Sequence, residues 1–257
     1  MRFTIISVLV SGIVGLVGAA KADIISVTYG AAGVQTASSA VMANASFIGT
    51  ESFNTRSSGG FTTDYGTGSV ITGVYSTSAI ITGADQYGGA GGTGSYVNAI
   101  GGTSGYTISL ATNRAPGVNY FGYWLSALDQ GNQISFSRGG VVVGTYEPAD
   151  LVAALGACSA SNPYCGNPNP AFAGQDAGEP FAFVNFVDTD GFFDQISVSE
   201  SLSVPNYESD NHTVAYCSNA SACIAGTSIN VPEPISLVLL STGLFALGAV
   251  RYRVHRT

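Results

Sequence analysis

Positive charge is scarce in this sequence. Lysine occurs once, at Lys21, and the segment from Asp23 to Val231 contains three arginines against 15 acidic residues. A protein with so few cations cannot neutralise a phosphate backbone, so nucleic-acid binding is excluded. The lack of lysine also excludes Schiff-base chemistry in this segment.

Histidines and charged residues of either sign are also rare. The two histidines are His212 and His255, and charged residues make up 9% of the chain. A serine or cysteine nucleophile needs a neighbouring base. We interpret His212 as a solvated residue in a polar turn after Asp210 and Asn211, and His255 lies beyond the C-terminal apolar segment. No catalytic residues are therefore predicted, and we expect the protein not to be an enzyme.

Residues 1–22 have the parts of a secretory signal peptide. Arg2 is followed by an apolar stretch over 5–17. A small-residue cleavage site closes the segment, at Ala20, Lys21 and Ala22. We expect the general secretion machinery to export the chain and signal peptidase to leave Asp23 as the new N-terminus. An uncleaved membrane anchor is the alternative, and the short apolar stretch disfavours it.

Residues 231–257 contain three parts in a fixed order. Val231-Pro232-Glu233-Pro234 comes first, and its prolines keep the backbone extended. The uncharged stretch 235–250 follows, which as a helix is about 24 Å long and predicts one transmembrane span. An arginine cluster ends the chain, at Arg251, Arg253 and Arg256. These arginines place the tail in the cytoplasm and the acidic body outside, and they disfavour the alternative of a buried core helix.

This order resembles the PEP-CTERM sorting signal of Gram-negative bacteria. The resemblance implies a transient inner-membrane anchor that an exosortase recognises and processes. It also implies delivery to the outer envelope, the cell surface or the extracellular exopolysaccharide matrix of a biofilm. The Leu-Pro-x-Thr-Gly motif of sortase substrates is absent, and a GPI signal would end in its hydrophobic stretch.

Residues 23–230 predict an all-β domain. Short runs of β-branched and aromatic residues alternate with Gly, Asn, Asp and Ser. Strands are predicted at 24–29, 45–53, 69–75, 106–111, 119–126, 133–137, 141–146, 181–186, 194–199 and 212–216. Many short strands with frequent turns predict a jelly-roll or concanavalin-like β-sandwich.

Further features are predicted within this domain. Residues 133–146 predict a hairpin that turns at Gly139 and Gly140. A short helix is predicted from Pro148 to Gly156. The Gly-rich stretch 83–105 and the Pro-rich stretch 157–180 predict loops, the second an irregular insert.

The body also resembles exosortase-dependent surface proteins with a jelly-roll ectodomain. The similarity rests on five short stretches: Asn119-Tyr-Phe-Gly-Tyr-Trp124, Ile134-Ser-Phe, Asp150-Leu, Phe193-Asp-Gln-Ile196 and Tyr207-Glu-Ser-Asp-Asn211. It implies a surface location and a sheet architecture, and it implies no activity. The insert 157–180 is not part of this pattern.

The exported part contains an even number of cysteines. They are Cys158, Cys165, Cys217 and Cys223. After a signal peptide, this predicts disulfides in an oxidising compartment. Of three connectivities we favour the local pairs Cys158–Cys165 and Cys217–Cys223, with metal binding as the alternative.

Asp188, Asp190 and Asp194 form the densest acidic cluster. Carboxylates around an Asp-x-Asp-Gly turn are ligands that Ca²⁺ prefers, so this is the candidate for a structural calcium site. The spacing does not match an EF-hand, and an ordinary turn is the favoured interpretation. No other cofactor is predicted.

The aromatic residues of 119–126 offer a candidate carbohydrate site. Tyr120 and Trp124 share one face of the predicted strand, while Phe121 and Tyr123 share the other. At least one of these faces must be core, and core packing is the favoured interpretation for most of the four. A lectin-like carbohydrate-binding module is therefore the first alternative function. A secreted glycoside hydrolase, with two carboxylates facing across a cleft, is the second.

Overall fold

The computed structural model describes residues 23–66, 68–100, 105–129, 131–200 and 206–229. The predicted signal peptide and the C-terminal tail lie outside these residues, and of their predicted sites only Asp23 lies within them. The described chain forms two antiparallel sheets that pack face to face as a β-sandwich.

Eight strands form the first sheet. Along the sheet they are β14 (Thr227–Ile229), β1 (Ile25–Tyr29), β11 (Ala182–Asp188), β8 (Tyr120–Ser126), β13 (Tyr207–Tyr216), β6 (Ser95–Ala99) and β5 (Ile80–Gly83), and β2 (Phe47–Glu51) also pairs with β13. Six strands form the second sheet: β10 (Val141–Tyr146), β9 (Asn132–Arg138), β12 (Gln195–Glu200), β7 (Tyr106–Thr112), β4 (Ile71–Tyr75) and β3 (Phe61–Tyr65). Most neighbouring strands are distant in sequence.

The space between the sheets holds the main hydrophobic core. Phe136 of the second sheet lies 5.0 Å from Phe186 and 6.2 Å from Phe121 of the first, measured between ring centroids. Strands β8 and β11 are buried along their whole lengths. Their near-continuous apolar sequence follows from burial on both faces.

A second, smaller core covers the outer face of β8 and β11. It is formed by helix α1 (Ser39–Asn44), a 3₁₀ turn at Ala220–Cys223 and the residues that these strands turn outward. The Ser38 hydroxyl caps α1 by accepting a hydrogen bond from the backbone N–H of Val41, and Val41 is fully buried in this core.

Both ends of the described chain meet at one end of the first sheet. The register of β1 pairs Val27 with Ile229 of β14 and Ile25 with Asp188 of β11. Because both pairings are antiparallel, the start of β1 lies beside the end of β14 and the end of β11.

All ten predicted strands overlap strands of the structure. The hairpin is confirmed: β9 and β10 pair from Arg138 and Val141, and Gly139 and Gly140 have φ of 57° and 79°. The short helix is confirmed as α2 (Ala149–Leu155), which Gly156 terminates with a φ of 81°. Within 157–180 the structure has a disulfide and one 3₁₀ turn, at Pro170–Phe172.

Some elements differ from the prediction. Strands β3, β5, β6 and β14 and helix α1 were not predicted, and β6 lies inside the stretch 83–105 that was predicted as a loop. Among the described residues no helix is long and apolar enough to cross a bilayer, and the predicted span 235–250 lies outside them.

Candidate functional site

Three carboxylates meet at the end of the first sheet where β1 begins. Asp23, Asp188 and Asp190 each offer an oxygen, and these oxygens lie within 4.8 Å of one another. Asp194 is not among them, because its Oδ2 accepts a 2.8 Å hydrogen bond from the backbone N–H of Gly139 in the hairpin turn. The predicted grouping with Asp194 is therefore not formed, and Asp23 takes its place.

Backbone pairing and one ion pair bring Asp23 to this turn. The backbone N–H of Thr189 donates to the carbonyl of Ile24 at 3.0 Å, and the N–H of Ile24 donates to Oδ1 of Asp190 at 2.8 Å. Arg138, the last residue of β9, donates to both carboxylate oxygens of Asp23, at 2.6 and 3.0 Å. Three distant parts of the chain are thus joined at one point.

Asp188 is the buried member of the cluster, with no exposed surface. Its Oδ1 accepts hydrogen bonds from the backbone N–H groups of Asp190 and Gly191, at 3.2 and 2.8 Å. Its Oδ2 has no hydrogen-bond partner. Burial, followed by the nearby charge of Asp23, raises the pKa of Asp188 to about 7. One oxygen of this buried carboxyl group is therefore left without a hydrogen-bond donor.

An open groove of about 550 Å³ borders these carboxylates. The guanidinium carbon of Arg138 lies 5.4 Å from the ring centroid of Phe192, in a cation–π arrangement. Phe192 is 37% exposed. Residues that line the groove include Asn119, Arg138, Asp190, Phe192 and Tyr216. The groove therefore combines acidic groups, one guanidinium and an accessible aromatic ring.

The carboxylates are close enough for glycoside hydrolysis, because retaining enzymes hold theirs about 5 Å apart. A general acid must also reach the glycosidic oxygen. Asp188 has no exposed surface, and the carboxylate of Asp23 is occupied by Arg138. Of the three, only Asp190 is exposed, so the arrangement fits a bound cation better than a catalytic pair.

Tyr120 and Trp124 do not form a surface on which a sugar could stack. Both are completely buried. The Trp124 ring lies 5.8 Å from that of Phe181 in the outer core, and the Tyr120 hydroxyl donates to Oδ1 of Asn185 at 2.7 Å. The opposite face of β8 is buried as well. Core packing, the favoured interpretation, therefore holds for both faces, because the covering layer of α1 and the 3₁₀ turn buries the second.

His212 is a core residue of β13, so the prediction of a solvated loop position is wrong. It has no exposed surface. Its Nδ1 lies 2.9 Å from the hydroxyl of Tyr75 in the opposite sheet, and its Nε2 lies 3.0 Å from Oγ of Ser209. Burial lowers the pKa of His212 to about 3, so the ring is neutral. Because Ser209 is also fully buried, this serine–histidine pair presents no nucleophile to a substrate. Both residues lie on β13, and the contact of His212 with Tyr75 joins the two sheets.

The four cysteines form two local disulfides, in the favoured connectivity. Cys158 pairs with Cys165 and Cys217 pairs with Cys223, with Cα atoms 5.5 and 6.4 Å apart. The first closes a loop at the start of the insert, and the second holds the 3₁₀ turn of the outer core beside the end of β13. Such pairs are typical of an oxidising, exported environment.

Comparison of the chain with models of protein families, with curated proteins and with solved structures finds no match. The sorting residues of the tail and the cleavage residues Ala20 and Ala22 lie outside the described residues.

Proposed function

We propose that this protein is a non-enzymatic surface or extracellular-matrix protein that is exported and then sorted by an exosortase. One observation carries the proposal: Pro-Glu-Pro, an uncharged segment and an arginine cluster follow one another at the C-terminus. The two prolines keep the Pro-Glu-Pro segment extended and outside any helix, so that a processing enzyme can cleave there. The arginines hold the segment in the inner membrane until cleavage releases the body.

Two properties of the body support export. Its two disulfides suit an oxidising compartment. Its 15 acidic residues against three arginines favour a hydrated, soluble state in the envelope or beside exopolysaccharide. Within the β-sandwich class we propose the jelly-roll or concanavalin-like type. In support, β11 lies between β1 and β8, strands that are far from it in sequence, so the first sheet is not a simple meander.

Replacing Pro232, Glu233 and Pro234 by alanines should retain the protein uncleaved in the inner membrane. The alanines let the helix of the apolar segment extend over these positions, so that the processing enzyme loses its extended substrate. Cell fractionation, with mass spectrometry of the C-terminus, measures the result. Thr257→Ala, which leaves all three parts of the tail intact, is the matched control.

In the unmodified host we expect a mature C-terminus that lacks Arg256. Deleting the exosortase should restore Arg256 to the isolated protein. A triple variant that still reaches the surface in processed form would refute the sorting assignment.

Carbohydrate binding is the second candidate, at the groove and not at Trp124. It is favoured by the exposed ring of Phe192 beside Asp190 and Arg138. Phe192→Ala should weaken binding to the host's purified exopolysaccharide by roughly tenfold, as expected for the loss of one stacking ring. Tyr87→Ala is the control, since Tyr87 is 42% exposed but does not line the groove. Equal retention of both variants on the polysaccharide would remove this candidate.

A further inference from the structure

The carboxylate cluster at the start of β1 has the geometry of a cation site. Calcium binds carboxylate oxygens at about 2.3–2.6 Å, so two ligands on opposite sides of one ion lie about 5 Å apart. The oxygens of Asp23, Asp188 and Asp190 lie within 4.8 Å of one another. One ion can therefore contact all three residues without a large rearrangement.

Asp188 supplies an independent reason to place a ligand there. Its side chain is completely buried, both N–H donors that reach it go to Oδ1, and Oδ2 is left without a partner. A buried carboxylate oxygen without a donor or a cation is costly. Arg138 does not supply the missing hydrogen bond, because its hydrogen bonds to the cluster go to Asp23.

The space around Gly191 is shaped by the same oxygens. A methyl group added at Gly191 would lie 3.0 Å from Oδ2 of Asp188 and would also meet Oδ2 of Asp23 and Nη1 of Arg138. The absence of a side chain thus lets both carboxylate oxygens and the Arg138 guanidinium approach the backbone of Gly191 closely. The adjoining groove gives an ion access from solvent and room for the water ligands that complete six to eight positions.

We propose that Asp23, Asp188 and Asp190 bind one Ca²⁺ ion, which links the start of β1 to the turn after β11. The inference goes beyond the proposed function and does not depend on the tail. The expected N-terminus of the exported protein, Asp23, would be one of the ligands. Calcium binding would then fasten this terminus to the body.

Isothermal titration with CaCl₂, after removal of metal with a chelator, tests the proposal on the purified full-length protein in detergent. We expect one equivalent of Ca²⁺ to bind, and 10 mM Ca²⁺ to raise Tm on the order of 5 °C. Equal MgCl₂ should give a smaller shift, because Mg²⁺ demands stricter octahedral geometry. No binding heat together with no shift in Tm would overturn the proposal.

Three variants locate the site. Asp190→Asn changes an exposed ligand, so it should fold and lose at least tenfold in Ca²⁺ affinity. Asp188→Asn and Gly191→Ala should lose the response as well. Asp194→Asn is the matched control and should keep it, since an amide oxygen can still accept from Gly139. Binding unchanged in Asp190→Asn, or lost equally in Asp194→Asn, would place the ion elsewhere and refute the assignment.

Discussion

Replacing Trp124 by alanine should destabilise the folded body by about 3–5 kcal/mol. The ring is completely buried in the outer core against Phe181. Alanine would leave a cavity beneath the covering layer that contains Val41. The expected fall in Tm is roughly 10 °C or more.

Thermal unfolding followed by far-ultraviolet circular dichroism measures this loss, because Trp124 is the only tryptophan and its variant loses the fluorescence signal. Trp124→Phe should lose less, and the exposed Tyr87→Ala should stay within about 0.5 kcal/mol of the parent protein. A Trp124→Ala protein of normal stability that failed to bind polysaccharide would instead restore Trp124 as a sugar ligand.

Stability should be greatest in mildly acid solution, at about pH 4–5, and should fall by several degrees of Tm towards pH 8. The main cause is a pair of buried carboxyls on β13, and the raised pKa values of Asp188 and Glu179 act in the same direction. Burial is the largest cause that raises the pKa of Glu208 from 4.5 to about 8 and that of Asp210 from 3.8 to about 7. Folded protein therefore holds these protons longer than unfolded protein, and stability falls as pH rises through this window.

His212 acts in the opposite direction at lower pH. Its pKa falls from 6.5 to about 3 on folding, so the unfolded chain takes up the proton first, and stability falls as pH drops from 6.5 towards 3. Between pH 4.5 and 6.5 the two carboxyls outweigh the one histidine. Below this range only the histidine changes the stability, and it lowers it as the pH falls. Stability is therefore expected to be greatest at about pH 4–5.

Thermal melts from pH 3 to 9 test this dependence. Glu208→Gln should flatten the decline above pH 6, while Glu147→Gln, at an exposed position, should leave the profile unchanged. A Tm that rises steadily from pH 5 to 8 would show that these carboxyls are ionised in the folded state.

Much of the sandwich follows from local sequence patterns. Alternation of apolar and polar residues identifies β9, the Gly139-Gly140 turn connects it to the run of valines in β10, and long apolar runs identify β8 and β11. The elements missed are short or have weak patterns. Helix α1 has six residues, too few to show a helical period, and β6 is surrounded by glycines that favour a loop prediction.

The candidate site depends on pairing that the sequence does not show. Asp188 and Asp190 are neighbours in the chain, so their proximity is predictable. Asp23 joins them through the register of β1 with β11, between segments about 160 residues apart. No local signal marks that register.

The prediction of a solvated turn for His212 is wrong because its surroundings also depend on pairing between distant strands. Its polar neighbours indicate a turn, but the structure places them in a strand with a register shift between Asp210 and Thr213, where Asn211 has a φ of 50°. This bulge lets polar side chains enter the core and pair there. Whether a polar stretch is buried depends on hydrogen-bond partners from other strands, such as Tyr75. The sequence alone does not show which residues these partners are.

The pairing of Val27 with Ile229 determines which end of the domain would lie next to the membrane in the proposed anchored form. The chain leaves β14 at the end of the sheet that carries Asp23 and Asp188, and the predicted span begins at Ile235. Five residues separate Ile229 from Ile235, so these two Cα atoms are at most about 20 Å apart, and in the proposed anchored form the end of the sheet that carries Asp23 and Asp188 would lie close to the lipid headgroups. A processing enzyme would then have to cleave the chain in the short space between the domain and the membrane. Cleavage would expose to the surroundings the end of the sheet that had faced the bilayer.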